Sequence, residues 1–165
     1  MAERVMSIPP SLSRYRVPRV LLQSTADTLR RLSGGVREAV VLWQGRVLDA
    51  QRAEISKVQV PRQVTGELHF NVPLQERFRL VREVSAAGEF ILVQLHTHPR
   101  EAFHSEADDR MAITKHTGAI SIVIPNFAAR WSGDFSETAV FIHLGASRWR
   151  QLTAADALGL FEVTP

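Results

Sequence analysis

The chain has 165 residues, 45% apolar and 22% charged, so one globular domain is expected, and no apolar run is long enough to span a membrane as a helix. It has no cysteine, which excludes disulfides, thiolate metal sites, iron–sulfur clusters and cysteine nucleophiles and leaves His, Asp, Glu or water to hold any metal. The net charge is only +3, and the sequence pI of about 10.1 reflects cations that are nearly all arginine, so the balance does not point to nucleic acid.

Residues 1–14 read as an N-terminal tail, with Arg4, Pro9-Pro10 and Arg14 and without the apolar core of a secretory signal; a cytoplasmic location is expected. Residues 15–145 form the predicted main domain, and 146–165 a strand and helix that complete it. A helix is predicted from Pro18 to about Ser33, stopped by Gly34-Gly35, with Leu22, Ala26 and Leu29 as its buried stripe. A β-rich run follows from Glu38 to Gln44. Gly45-Arg46 is expected to turn into a second strand, Val47 to Ala50, and residues 55–61 to form another. A second helix is expected between Pro73 and Gly88, with Leu74, Phe78 and Val81 as its inner face. Residues 89–95 then read as a central strand running into His96-Thr97-His98-Pro99.

A third helix is predicted to start after Ser105 and to run to about Thr117. Residues 119–124 and 138–144 read as strands, 147–152 as a partner of the latter, and 153–161 as a final helix. Alternating strands and helices argue an α/β or α+β fold with helices on a mixed sheet.

The chemistry concentrates in residues 95–109. Residues i and i+2 of an extended chain share a face, so His96 and His98 project together from the end of a central strand. Two imidazoles so placed suit a Zn2+ ion, although a His-x-His pair is also compatible with a structural role. Asp108, in the first turn of the next helix, can return as a third ligand; Ser105 with Asp108 also fits a helix cap. Three protein ligands leave an open position, the arrangement of a catalytic rather than a structural site. Glu38, at a neighbouring strand end, is the candidate general base.

Glu38-x-x-x-Leu42-x-x-Gly45, then His96-Thr-His98-Pro, then Ser105-x-x-Asp108 resembles the signature of the JAMM/MPN+ (Mov34/JAB) zinc metalloproteases in order, context and the separation of about 60 residues from glutamate to histidines. The resemblance implies an α/β (α+β) fold of the MPN/JAMM, cytidine deaminase-like type: a mixed β-sheet packed between helices in a single domain. It implies one zinc per chain held by His96, His98 and Asp108. Glu38 would move the proton, and Ser105 would donate to the oxyanion. The loop from His98 to Ser105 is one residue shorter than the family's usual spacing, which keeps Asp109 as the alternative ligand. Val41 stands where many members have glycine.

The family implies an isopeptidase or peptidase that cleaves after the C-terminus of a ubiquitin-like protein, in deconjugation or precursor processing. Its partners would be the ubiquitin-like protein or its conjugates and E1/E2-like enzymes of the same operon, with neither nucleic acid nor membrane. The wording around HTHP and AFHS resembles a bacterial branch, some of whose members stand in antiphage defence operons. The alternative is an inactive MPN-type scaffold that binds a protein partner.

Outside this set, His104 reads as a solvated loop residue or a substrate contact. His69, His116 and His143 read as structural or exposed. Asn126 and Phe127 either flank the cleft or form an ordinary loop. Trp43 is expected in the core, opposite Glu38. Trp131 lies in a polar stretch that reads as an exposed loop, where it would either bind a partner or fold over a core edge, and Trp149 is similar.

Overall fold

The computed structural model describes residues 7–103 and 106–165. Among the described residues there are ten strands: β1 (Arg14–Pro18), β2 (Val40–Val47), β3 (Arg52–Gln59), β4 (Val64–Gly66), β5 (His69–Asn71), β6 (Phe90–Thr97), β7 (Ile120–Ile124), β8 (Ala139–Gly145), β9 (Arg148–Gln151) and β10 (Phe161–Thr164). Four helices accompany them: α1 (Arg19–Ser33), α2 (Leu74–Ala86), α3 (Glu106–Met111) and α4 (Ala154–Leu160). Eight strands form one mixed sheet in the order β10-β1-β3-β2-β6-β7-β8-β9, and β4 and β5 form a separate hairpin. No helix among the described residues is long and apolar enough to cross a membrane.

Helix α1 follows its sequence pattern. Gly34 ends it in a left-handed conformation (φ 54°), its N–H donating to the Arg30 carbonyl at 2.9 Å. Leu22, Ala26 and Leu29 are buried, and with Trp43, Ile55, Val93, Leu95 and Ile122 they fill the core on one face of the sheet. Trp43 is fully buried there, and its indole N–H donates to Thr25 Oγ1 on α1 at 2.9 Å.

Helix α2 departs from its pattern. Leu74, Phe78 and Val81, the expected inner face, are exposed; Glu76, Leu80 and Val84 are buried instead. Both sets have helical spacing, and a satisfied carboxylate decides between them. Glu76 accepts hydrogen bonds from Arg79 Nε and Nη2 at 2.8 and 2.6 Å and from the Arg62 backbone N–H at 3.0 Å. A charge so paired can occupy an inner position, leaving Leu80 and Val84 to cover Val40, Leu42 and Ile91 on the sheet's second face together with Phe70 of β5.

The ends of the sheet also differ from expectation. The irregular N-terminal stretch contains β1, parallel to β3 and β10, with Tyr15 and Val17 inward and Arg16 between them. Neither β1 nor β10 carries a long enough alternation to stand out in sequence. Strand β2 does not turn at Gly45 but continues through a bulge to Val47, so the expected strand from Val47 to Ala50 is absent. Gly45 is needed because a Cβ there would overlap the Glu54 carbonyl oxygen. The turn lies at 48–51, where Asp49 Oδ1 accepts the N–H groups of Gln51 and Arg52, each at 2.9 Å. Helix α3 stops at Met111, short of Thr117, because Ile113 leaves it to donate its N–H to Gln94 Oε1 on β6 at 2.8 Å. Trp131 is buried: its indole N–H donates to the Asp134 carbonyl, and its own carbonyl accepts from Arg30 on α1. Trp149 is half-buried with its ring against His143.

Candidate metal centre

The site stands where the beginning of β2 meets the ends of β6 and β7. Val40 pairs antiparallel with His96, and Val123 pairs parallel with it on the other side. Alternation along β6 directs Val93 and Leu95 to the α1 core, while His96 lies on the α2 face, its ring centroid 5.2 Å from that of Phe70. Thr97 faces the α1 side, as its place between the two histidines requires. Its hydroxyl oxygen accepts the Ala39 N–H at 3.0 Å and shares a 3.0 Å hydrogen bond with Ser33 Oγ at the end of α1. This fixes the segment before β2, and so Glu38, against the end of β6.

Two further groups hold that segment. The Gln63 side chain pairs with Val40 as a strand would, accepting its N–H and donating to its carbonyl, both at 2.9 Å. The Glu38 N–H donates to the Gly66 carbonyl in β4 at 2.7 Å. Neither contact has a sequence signature, since each joins a loop to a strand end that only the fold brings together.

His96, His98 and Asp108 meet with one ligand atom from each within 4.8 Å of the others, and all three residues are buried. Asp108 Oδ1 lies 3.1 Å from His96 Nε2, and Oδ2 lies 3.2 Å from His98 Nε2. Asp109 is not in this group, so the short loop still delivers Asp108 to the histidines. Glu38 is 5% exposed, with Oε1 3.9 Å from His98 Nε2. Burial pushes its carboxyl up to about 7; His98 opposes the rise and Asp108 adds to it. Ser105 and His104 lie outside the described residues.

The donor set fits a divalent ion. Two imidazole nitrogens and one carboxylate suit zinc and similar borderline metals. Neither ring nitrogen of His98 makes a hydrogen bond among the described residues, though the ring is buried, as expected of a nitrogen meant for a metal.

A cleft of about 380 Å3 opens beside Glu38 and His98. Leu68, in the β4–β5 turn, and Phe103 are exposed on its walls, and the Phe103 ring meets the His98 ring edge to face at 4.6 Å. Beyond β7, Asn126, Phe127 and Ala128 all have positive φ (54°, 52° and 58°), a left-handed turn that non-glycine residues adopt at a cost. The turn is pinned to the histidine loop: Phe127 N–H donates to the His98 carbonyl at 2.8 Å and Asn126 N–H to that of Arg100 at 3.1 Å. Asn126 and Phe127 thus brace the strand end that carries His98. His143 is buried in the sheet, His116 is half-buried and His69 is exposed, none of them in the metal group.

Comparison with known proteins shows what the chain and its fold are similar to. The family of prokaryotic homologs of the JAB domain matches residues 29–134, well over half the chain. A protein of Sinorhizobium fredii named probable metalloprotease y4jG is 28% identical over 163 residues, covering 96% of this chain and 99% of that one. Two solved structures share the fold. Protein DSY2949 of Desulfitobacterium hafniense matches with a TM-score of 0.64 at 16% identity, over 91% of this chain and 92% of that one. The JAB1/MPN domain protein AF2198 of Archaeoglobus fulgidus matches with a TM-score of 0.51 at 13% identity, over 90% and 99%.

Proposed function

The chain belongs to the prokaryotic JAB-domain family, and from that membership we propose that it is a zinc-dependent peptidase or isopeptidase acting at the C-terminus of a ubiquitin-like protein. The observation that carries the reading is the buried His96, His98 and Asp108 group with the Glu38 carboxyl 3.9 Å from His98. The kinship with a protein named a probable metalloprotease supports the peptidase class. Zinc, the ubiquitin-like substrate and a role in bacterial conjugation or antiphage operons are the finer parts of the proposal and come from the motif.

His96 and His98 would hold the metal through neutral imidazoles and Asp108 through its carboxylate. When bound, the ion supplies Lewis acidity, which acidifies water and polarises the scissile carbonyl. Glu38 accepts the proton of the attacking water and delivers it to the leaving amine. The hydroxyl joins the acyl carbon as the C–N bond breaks. In the metal-free site burial raises the proton affinity of Glu38, which suits a carboxyl that takes up a proton and passes it on. Ser105 is assigned the oxyanion contact by the motif. The cleft wall of Leu68 and Phe103 would keep water off an extended substrate tail.

The test uses a peptide ending in Gly-Gly and joined through an amide to aminocoumarin. Wild type with zinc should release the dye, and Glu38→Gln should lose about 10²–10⁴-fold in turnover while keeping its zinc. Near-normal turnover in Glu38→Gln would remove Glu38 from the reaction.

A further inference from the structure

The solvent side of α2 carries a ridge that the fold leaves uncovered. Leu74, Phe78 and Val81 stand at i, i+4 and i+7, one above another on a helix, and are 64%, 67% and 52% exposed. The ridge is roughly 10 Å long at the helical rise per residue. At Val81 it runs into a trough of about 210 Å3 between α2 and residues 113–116, with Ile113 and Lys115 on the far wall. Three large apolar side chains in one exposed row are more than the usual scatter of single ones.

The unpaired charges around the ridge are positive, although Glu89 lines the trough. Helical geometry puts Arg77 on one flank and Arg82 on the other. Arg82 has no carboxylate partner among the described residues. Arg77 gives its Nε to the Val72 carbonyl, and the Lys115 ammonium meets only the Arg110 carbonyl, at 3.5 Å. The nearby acids are already engaged: Glu76 and Glu83 hold Arg79, and Glu89 accepts from Gln44 and Ser56 and faces Arg46. An apolar ridge thus lies inside a rim of uncompensated cations.

We propose that this ridge and trough dock an acidic amphipathic segment of a partner protein. Its apolar side chains would cover Phe78 and enter the trough beside Val81, and its carboxylates would meet Arg77, Arg82 and Lys115. A second copy of this chain fits less well, because a two-fold contact through the ridge would bring like cations together. A bilayer fits less well because the surface is short and partly concave. The site shares no residue with the metal centre or its cleft, so the inference stands or falls independently of the peptidase reading.

The probe is a fluorescein-labelled synthetic helix of about four turns, with Leu or Phe at i, i+4 and i+7 and Glu on both flanks. Its anisotropy is followed against the full chain at low and high salt. Saturable binding with a Kd of about 10–100 μM is expected, weakened about tenfold by high salt, by Phe78→Ser and by Arg82→Glu. Arg82→Glu changes only an exposed rim residue and carries the test even if Phe78→Ser folds poorly. Equal binding of a scrambled peptide, or no binding at all, overturns the proposal. So does adsorption of the protein, but not the peptide, to phosphatidylcholine–phosphatidylserine vesicles, or a dimer in sedimentation that Phe78→Ser dissolves.

Discussion

Glu38 and Glu76 are equally hidden, each 5% exposed, yet they ionise at opposite extremes. Glu76 is held down to about 2, chiefly by hydrogen bonds from Arg79 against the opposing effect of burial, with the Arg62 N–H adding to them. Among the described residues no arginine or lysine donates to Glu38, and burial carries it up to about 7 against the opposing effect of His98. Exposure alone does not set the charge of a carboxyl; its partners and its depth in the fold do. Glu76 is a strut that ties α2 to the segment entering at Arg62. Glu38 is an acid left ready to gain or lose a proton beside two histidines.

The largest test of this contrast concerns the helix face that Glu76 turns inward. Leu80→Ala should cost about 2–5 kcal/mol in a urea titration. A cost near zero would mean that α2 is not seated on Leu80 and Val84. Next comes Glu38→Gln in the metal-free protein. The folded-state value of about 7 lies above the ordinary 4.5, so the stability linked to the proton on Glu38 is fully present below about 4.5 and is lost as pH rises through 7. The variant should therefore be more stable than wild type at alkaline pH, by up to about 3 kcal/mol, while losing turnover. Destabilisation there would show that the carboxylate has a partner after all.

Glu76→Gln should move the other way, costing about 1–3 kcal/mol at neutral pH. Its folded-state value of about 2 lies below 4.5, so its contribution is complete above about 4.5 and fades as pH falls toward 2. Wild type should lose stability through that window more steeply than the variant. Matching acid melts would break the strut assignment. The smallest effect is expected at the exposed ridge, where Phe78→Ser should change stability by no more than about 0.5 kcal/mol.

The same contrast explains what could be read from the sequence. Helix α1 was legible because Leu22, Ala26 and Leu29 make an apolar stripe, the buried residues beside them (Thr25, Thr28 and Ser33) are uncharged, and its end is a glycine that adopts a left-handed conformation. The inner face of α2 was not, because a pattern of apolar residues cannot show that Arg79 and Arg62 make an inward Glu76 acceptable. Strands β1 and β10 are short and interleaved with charge, and they are defined by pairing with each other and with β3. Trp131 was hidden within a polar stretch whose turn folds the ring under α1. At the site, the histidine pair and Asp108 could be read because strand alternation and a following helix restrict where they point. The groups that hold them in place, Thr97 with Ser33, Gln63 on Val40 and the left-handed turn at Asn126–Ala128, depend on contacts between distant segments.

The central claim is that His96, His98 and Asp108 form one metal centre, and elemental analysis of purified wild type and His98→Ala tests it most directly. The account predicts about one zinc per chain in wild type and little in the variant, with both chains folded by circular dichroism. Equal zinc in the two proteins, or none in wild type after reconstitution, would contradict it.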